Sequence, residues 1–215
     1  ATLQIFERFI PKNFTDRFAD GDIAQLKTGV SSQEYLSVLF TDIRNFTALS
    51  ESMAARDLFV LLNDYLNFME RPVRQYHGFV DKYIGDAIMA VFDRDPYDAV
   101  SAAIGMQRAM LKLNRLRARK GLATLQNGVG INSGDAMIGV IGSRERIDTT
   151  VMGDSVNAAS RIEDLTKTYG LTVLIGENTY NSVRHRQNLL IRFVDRVQVK
   201  GKQKHIAIYE VFNHE

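Results

Sequence analysis

Cysteine is absent from the 215 residues of this chain. The chain therefore cannot form a disulfide scaffold, a thiolate metal site or a cysteine nucleophile, and its composition suits a reducing compartment. The three prolines are isolated, so no segment has the composition of an interdomain linker. No apolar run is long enough to span a bilayer, and no signal peptide is visible. An excess of one charge is also lacking: the formal net charge is +2, which gives no reason to expect a nucleic-acid partner.

The rest of the composition is that of a globular protein, with 45% hydrophobic and 24% charged residues. We predict two parts, a lead-in segment from an upstream region over residues 1–30 and one main domain over residues 31–215. Aromatic and aliphatic residues recur at roughly helical spacing in the lead-in, around Pro11: Phe6, Phe9, Ile10, Phe14 and Phe18. Because the chain begins at Ala1, we expect a fragment of a longer parent protein, and its start leaves open whether that parent is soluble or membrane-attached.

The main domain mixes strand pairs with long helices. Short apolar runs predict a buried strand over 35–42 and a hairpin over 78–93 that turns at Gly85-Asp86. A second strand pair is predicted around Gly134-Asp135. Helices are expected over 56–76, over 98–120 with Val100, Ile104 and Leu111 inward, and over 154–170. The order β-α-β-β-α-β, with added strands and helices, indicates an α+β fold rather than an alternating parallel one.

Two aspartates are the first candidate functional residues. Asp42 ends the strand Phe40-Thr41-Asp42, and Asp86 lies in the hairpin turn Ile84-Gly85-Asp86. Ionised carboxylates are rarely left beside buried strands without a partner. Hard oxygen ligands of this kind suit Mg²⁺ or Mn²⁺.

Three further patterns suit a nucleotide. The strand-to-helix turn over 43–47 offers free backbone N–H groups to phosphates. Asn157 and Arg161, four residues apart, share one helix face and suit a ribose and a phosphate. Three lysines around Gly201 could reach polyphosphate.

Each pattern also has an ordinary structural interpretation when taken alone. Asp42 could cap the turn, Asp86 could simply be the hairpin residue, and 43–47 could be an ordinary strand-to-helix turn. Asn157 and Arg161 could form an exposed polar stripe, and the lysines a solvated turn.

Together and in this order, these features resemble the class III adenylyl and guanylyl cyclase family. The matching stretches are 39–47 (LFTDIRNFT), 82–87 (KYIGDA), 128–142, 152–161 and 199–202 (VKGK). The resemblance covers roughly residues 33–212. It implies a ferredoxin-like catalytic domain over 31–215 and a homodimer in which each active site takes residues from both protomers. The stretch around Pro11 also resembles the segment that joins such domains to upstream sensory domains.

The resemblance implies a role for each candidate. Asp42 and Asp86, with the backbone carbonyl of Ile43, fall at the positions that hold two divalent metal ions, Mg²⁺ or Mn²⁺. Asn157 and Arg161 fall at the transition-state positions. The remaining substrate-binding positions are filled by Phe46, Thr47, Lys82, Thr150 and Lys202. One chain carries every residue of this set, so a homodimer can build complete sites.

Lys82 and Thr150 bear on the substrate. A lysine donor and a hydroxyl suit the acceptor N1 and donor N6 of adenine. Many adenylyl cyclases of the family have Lys and Asp there, and guanylyl cyclases typically have Glu and Cys. The Lys/Thr pair is similar to the soluble-type branch of cyanobacteria and animals, whose members often respond to bicarbonate. We therefore expect a cytoplasmic adenylate cyclase acting on ATP, stimulated by bicarbonate; the alternatives are a guanylate cyclase and a catalytically silent nucleotide-binding domain.

Overall fold

The computed structural model describes residues 9–143, 145–198 and 205–212. Within these ranges eight strands form one sheet with helices on both faces. The strands are β1 (Ser31–Ile43), β2 (Phe79–Ile84), β3 (Ala87–Phe92), β4 (Asn127–Gly142), β5 (Ile147–Met152), β6 (Val173–Gly176), β7 (Ile191–Gln198) and β8 (His205–Val211). The helices are α1 (Lys12–Phe18), α2 (Phe46–Glu51), α3 (Ala55–Gln75), α4 (Pro96–Arg119), α5 (Asp154–Tyr169) and α6 (Glu177–Val183), with a 3₁₀ turn at Ile23–Gln25.

The strand order is β2-β3-β1-β4-β6-β8-β7, and β5 pairs with the far end of β4. The four strands β2-β3-β1-β4 are antiparallel to their neighbours, with α3 and α4 as the crossover helices. This is the ferredoxin-like βαββαβ core with additional strands and helices, so the predicted fold class is confirmed. No helix in the described part of the chain is both long enough and apolar enough to cross a membrane.

Alternation along β1 separates two core clusters. Leu39 and Ile43 point into the first core cluster, which α3 and α4 cover with residues such as Tyr65 and Met69. Leu36, Val38 and half-buried Phe40 point to the other face, into the second core cluster. Asp42 continues the second set, because successive side chains of a strand face opposite sides. The metal candidate therefore lies on the sheet face that α5 covers.

The predicted strand pair around Gly134-Asp135 is wrong. β4 runs without a break from Asn127 to Gly142, and Leu36 and Tyr35 of β1 pair with Gly134 and Asp135. Gly134 has no positive φ, whereas Gly85 in the true hairpin has a φ of 64°. Gly134 instead makes room for Ser155, whose Cβ lies 3.2 Å from where a Cβ would stand. The glycine serves close packing rather than a turn.

One inward position on α4 is also wrong. Val100 and Ile104 are buried as predicted, but Leu111 is 53% exposed. The buried stripe continues instead through Gln107, Met110 and Leu113. Leu111 lies one residue past Met110, a rotation of about 100° that takes it away from the sheet.

Two glycines let α5 lie directly against β4. A Cβ at Gly130 would stand 2.1 Å from the backbone N of Glu163, and one at Gly128 would stand 2.3 Å from Thr166 Oγ1. The backbone of α5 leaves no room for a side chain at Gly130, and the Thr166 and Arg44 side chains occupy the space beside Gly128. The C-terminal half of α5 is therefore held beside the end of β1.

The lead-in packs onto the sheet over the residues that the structure describes. Phe14 of α1 is fully buried in the second core cluster, edge-to-face with Phe79 at a ring distance of 5.7 Å. Arg17 forms ion pairs of 2.9 Å with Glu34 and with Asp93. Phe9 is 79% exposed, and Phe6 lies outside the described residues. The boundary at residue 30 stays a prediction.

Candidate active site

Asp42 and Asp86 meet where β1 ends. Antiparallel pairing of Thr41 with Ile88 brings the β2–β3 turn beside the last residues of β1. The backbone N–H of Ile43 donates to Asp86 Oδ2 at 2.9 Å, which fixes the turn carboxylate next to the strand. Two aspartates 44 positions apart in sequence thus belong to one site.

The site has an excess of buried carboxylate. Burial raises the pKa of Asp86, and the charge of Asp42 raises it further, against the lowering effect of the Ile43 N–H. Asp42 Oδ1 is buried, and no hydrogen-bond partner for it lies within the described residues. Asp42 Oδ2 accepts a 2.6 Å bond from the ammonium of Lys167. Such a group of oxygens attracts cations.

These donors fit a divalent ion that shares its ligands with a substrate. The described residues hold no group of three or more His, Cys, Asp or Glu side chains placed to bind a metal. Mg²⁺ needs no such cage, because it is commonly held by one or two carboxylates together with substrate phosphates and water. Asp42 and Asp86 meet this requirement, and the Glu163 carboxyl beside Asp42 can donate to it only when protonated.

Lys167 and Glu163 of α5 also reach this site, and the sequence motifs did not identify them. Glu163 is 5% exposed, and burial together with the nearby Asp42 charge raises its pKa. Arg44 Nη1 and Lys167 Nζ lie 3.7 and 3.6 Å from the Glu163 carboxylate. The signal was helical periodicity: Glu163 falls on the inward face of α5, four residues after the buried Ala159.

The turn after β1 has the expected strand-to-helix form. Asn45 adopts the left-handed conformation with a φ of 54°, and its side chain does not cap α2. The Arg44 N–H is already bound to the carbonyl of Gln126. Phe46 is half-buried against the first core cluster, and Thr47 is exposed. A phosphate role for Phe46 and Thr47 stays a prediction.

Lys82 and Thr150 come together although they are 68 positions apart. Lys82 lies on β2 and Thr150 on β5, two strands that are not neighbours in the sheet. Lys82 Nζ lies 3.2 Å from Thr150 Oγ1 and donates to it. Thr150 is 7% exposed and the Lys82 side chain is 32% exposed, so the pair combines a buried hydroxyl with a partly accessible lysine.

Asn157 and Arg161 lie one turn apart on α5, exposed and half-buried respectively. Within the described residues, no hydrogen bond or ion pair joins either of them to the two aspartates or to the Lys82–Thr150 pair. Lys202 lies outside the described residues. One chain therefore presents three separate groups of candidates.

The profile of the family described as "Adenylate and Guanylate cyclase catalytic domain" matches residues 29–212. The chain belongs to this cyclase family. A cyclase of Anabaena cylindrica named "Adenylate cyclase" is 44% identical over 98% of this chain, which spans 43% of that protein's length. The chain spans less than half the length of the curated relatives reported first, so it corresponds to one part of those proteins.

Solved cyclase structures share the fold. The adenylyl cyclase CyaB of P. aeruginosa is 33% identical with a TM-score of 0.76, covering 85% of this chain and 96% of that one. The guanylyl cyclase Cya2 is 28% identical with a TM-score of 0.74, covering 84% and 93%. Cyclases with both base preferences thus resemble this chain, and the choice of base has to be argued from the residues.

Proposed function

We propose that this chain is the catalytic domain of an adenylate cyclase, which converts ATP into 3′,5′-cyclic AMP and pyrophosphate. The observation that carries the proposal is the 3.2 Å contact between Lys82 and Thr150. It joins an ammonium donor to a hydroxyl, and adenine presents an acceptor at N1 beside a donor at N6. The similarity to the Anabaena enzyme and to CyaB supports the same substrate.

The reaction needs an in-line attack by the ribose 3′-oxygen on the α-phosphorus. The new bond closes the cyclic phosphate, while the bond to the bridging oxygen breaks and pyrophosphate leaves. Asn157 orients the ribose for this attack, and Arg161 offsets the charge that shifts onto the phosphoryl oxygens. Phe46, Thr47 and Lys202 bind the phosphates. Lys82 and Thr150 hold the base so that the ribose is presented in one orientation.

Asp42, Asp86 and the carbonyl of Ile43 are the groups that would hold two divalent metal ions, Mg²⁺ or Mn²⁺. When bound, these ions supply acidification of the 3′-hydroxyl and neutralisation of the triphosphate. The protein's part is to keep two carboxylates together at the end of β1. The Ile43 N–H does this for Asp86, because it donates to the carboxylate at 2.9 Å.

Active sites are proposed to form between two copies of the chain. Large apolar side chains are exposed along β2, β4 and β5, with Ile84 at 53% and Met152 at 51%. By the register of β4 with β5, three of them, Met137, Ile141 and Met152, share one face and form an apolar patch. Exposed apolar patches of this kind mark interaction sites. A homodimer that buries it would bring the Asn157–Arg161 group of one copy to the aspartates of the other.

Upstream sensory domains in the parent protein are a further proposed partner, supported by the lengths of the curated relatives. Because ATP is the proposed substrate, we propose a cytoplasmic location for the catalytic domain.

One assay tests the proposed function. The purified chain is incubated with Mn²⁺ and either ATP or GTP, and the product is identified by chromatography and mass spectrometry. Cyclic AMP from ATP is the expected product. Cyclic GMP as the main product would show a guanylate cyclase, and absence of both products from a folded dimer would show a silent nucleotide-binding domain.

Exchanging the base-reading pair should move the preference toward GTP. In the double variant Lys82→Glu with Thr150→Cys, the donor that faces N1 becomes an acceptor, which matches guanine rather than adenine. Each mismatched polar group costs roughly 1–3 kcal/mol, so two contacts change the ATP-to-GTP ratio of kcat/KM by about a hundredfold. Thr150→Ser is the matched control, since it keeps the hydroxyl and should keep the preference. A folded, active double variant with an unchanged ratio would place base choice elsewhere.

Bicarbonate is a proposed activator, on the strength of the Lys82–Thr150 pair. It should raise kcat more than it lowers the KM for ATP, because an activator has to bind the catalytic arrangement more tightly than the resting one. Initial rates with bicarbonate and with chloride are compared at matched pH, ionic strength and free metal. Equal rates across a full ATP titration contradict the activation and leave the cyclase proposal untouched.

A further inference from the structure

A second acidic side chain lies beside the base-reading pair. Asp81 immediately precedes Lys82 on β2, and in a regular strand the two would point to opposite faces. The register shifts between Val80 and Lys82, so that Val80 pairs with Ala90 and Lys82 pairs with Met89. Asp81 is thus the inserted residue of a β-bulge. Bulges of this kind re-aim side chains, and this one brings Asp81 and Lys82 to the same side of the strand.

The Asp81 carboxylate is deeply buried, and its side chain is 0% exposed. Neither oxygen makes a hydrogen bond of full geometry with a described residue, and the Lys82 ammonium and the backbone N–H of Val151 are the groups whose contact lowers its pKa. Its nearest cation is Lys82, with Nζ 3.3 Å from Oδ2. Among the groups that stabilise the ionised carboxylate, the Lys82 ammonium has the largest effect. The contact is mutual, so Asp81 also fixes the position of that ammonium.

We propose that Asp81 is a positioning residue, which holds the Lys82 ammonium in the orientation that reads the adenine edge and so contributes to the choice of ATP over GTP. The inference rests on the proposed function, because it assigns Lys82 to the base.

The geometry of the ammonium supports this role. Lys82 Nζ has three N–H groups. One donates to Thr150 Oγ1 at 3.2 Å, and the Asp81 carboxylate attracts the ammonium from 3.3 Å. Two fixed partners leave one donor direction for a ligand. Without Asp81, the flexible four-carbon side chain keeps a single anchor and the third N–H loses its fixed direction.

The charge on Asp81 is set by the groups that face it. Burial raises its pKa to about 6, Lys82 on the same strand lowers it, and Asp148 of β5 raises it. The carboxylate is therefore ionised at pH 7.5 and becomes protonated as the pH falls through 6. Its hold on Lys82 weakens in the same range.

The variant Asp81→Asn tests the inference, because it keeps the shape of the side chain and removes its charge. The ATP-to-GTP ratio of kcat/KM is expected to fall roughly tenfold, as for the loss of one charge-assisted contact, mainly through a higher KM for ATP. The melting temperature should stay the same or rise, since a buried charge is removed, the amide oxygen can still accept from the Val151 N–H, and Lys82 can still hydrate. Asp148→Asn is the matched control and should leave the ratio unchanged.

A merely structural Asp81 gives a different pattern. The variant would then lose thermal stability and lose rate equally with both nucleotides, and an unchanged ratio overturns the inference. The wild-type chain provides a second test that does not depend on the variant folding: its ATP-to-GTP ratio should decline between pH 7.5 and 5.5. A flat wild-type ratio over this range also contradicts the inference.

Failure of the proposed function is recognised separately, because the wild-type chain is assayed in parallel. A wild type that forms no cyclic nucleotide contradicts the cyclase proposal. In that case the preference for ATP over GTP is measured as the ratio of their dissociation constants. An equal ratio in wild type and Asp81→Asn overturns the role of Asp81.

Discussion

Replacing Asp42 with alanine, or Asp86 with asparagine, should lower kcat for cyclisation by at least about 10³-fold while the chain stays folded. The loss is large because each variant removes an oxygen ligand on which both nucleophile activation and phosphate neutralisation depend. Asparagine is chosen at position 86 because its amide oxygen can still accept from the Ile43 N–H, which binds the native carboxylate at 2.9 Å. Cyclic AMP formation is measured at saturating Mn²⁺, with circular dichroism and thermal melting as checks on folding.

Asp164→Ala is the control for this experiment. Asp164 is 69% exposed at its side chain and lies 3.7 Å from the same Lys167 that bonds to Asp42, but it is not part of the carboxylate pair. Its removal changes the local charge by the same amount and should leave activity within a few-fold of wild type. Near-normal activity in a folded Asp42 or Asp86 variant would contradict the two-metal assignment.

Mixing inactive Asp42→Ala with inactive Arg161→Ala should restore activity to about a quarter of wild type. In a symmetric dimer with shared sites, a mixed pair has one site with both substitutions and one with neither, and mixed pairs make up about half of a random mixture. The structure gives the reason to expect shared sites: within the described residues, Arg161 has no bond to the carboxylate pair of its own chain.

Subunit exchange has to be demonstrated in the same mixture, for example with one variant carrying an affinity tag. Mixing two preparations of Asp42→Ala serves as the negative control. If exchange is complete and no activity returns, each site is built within one chain and the dimer proposal fails.

Local signals in the sequence predicted the elements that carry most of the site. The alternation along β1 placed Asp42 on one face, and the Gly85-Asp86 dipeptide predicted the true hairpin turn. A similar dipeptide at Gly134-Asp135 predicted a turn that does not exist. The difference is tertiary: β1 pairs with β4 through both residues, and Ser155 occupies the space beside Gly134. No local sequence pattern distinguishes a glycine in a turn from a glycine that allows close packing.

The resemblance to the cyclases placed Lys82 and Thr150 in one functional pair, and the structure brings their polar atoms to 3.2 Å. The resemblance did not identify Asp81. A β-bulge depends on how two strands pair, so the sequence of one strand alone does not reveal it. Lys167 was missed for a similar reason. Its contact with Asp42 spans 125 positions and depends on how closely α5 lies against Gly128 and Gly130.

The bond from Lys167 to Asp42 puts an ammonium at the proposed metal site, so a divalent ion that binds there would compete with it. Lys167 is a competitor tethered to the same chain, and its local concentration at the carboxylate is fixed by the helix, on the order of millimolar or above for a short tether. Diluting the protein does not weaken the Lys167–Asp42 bond, whereas diluting a free ion lowers the occupancy of that ion. The affinity of the proposed metal site would therefore be lowered by the competition of Lys167 for the Asp42 carboxylate. While no divalent ion is bound, the single positive charge of Lys167 offsets part of the repulsion among the carboxylates at the packed end of β1.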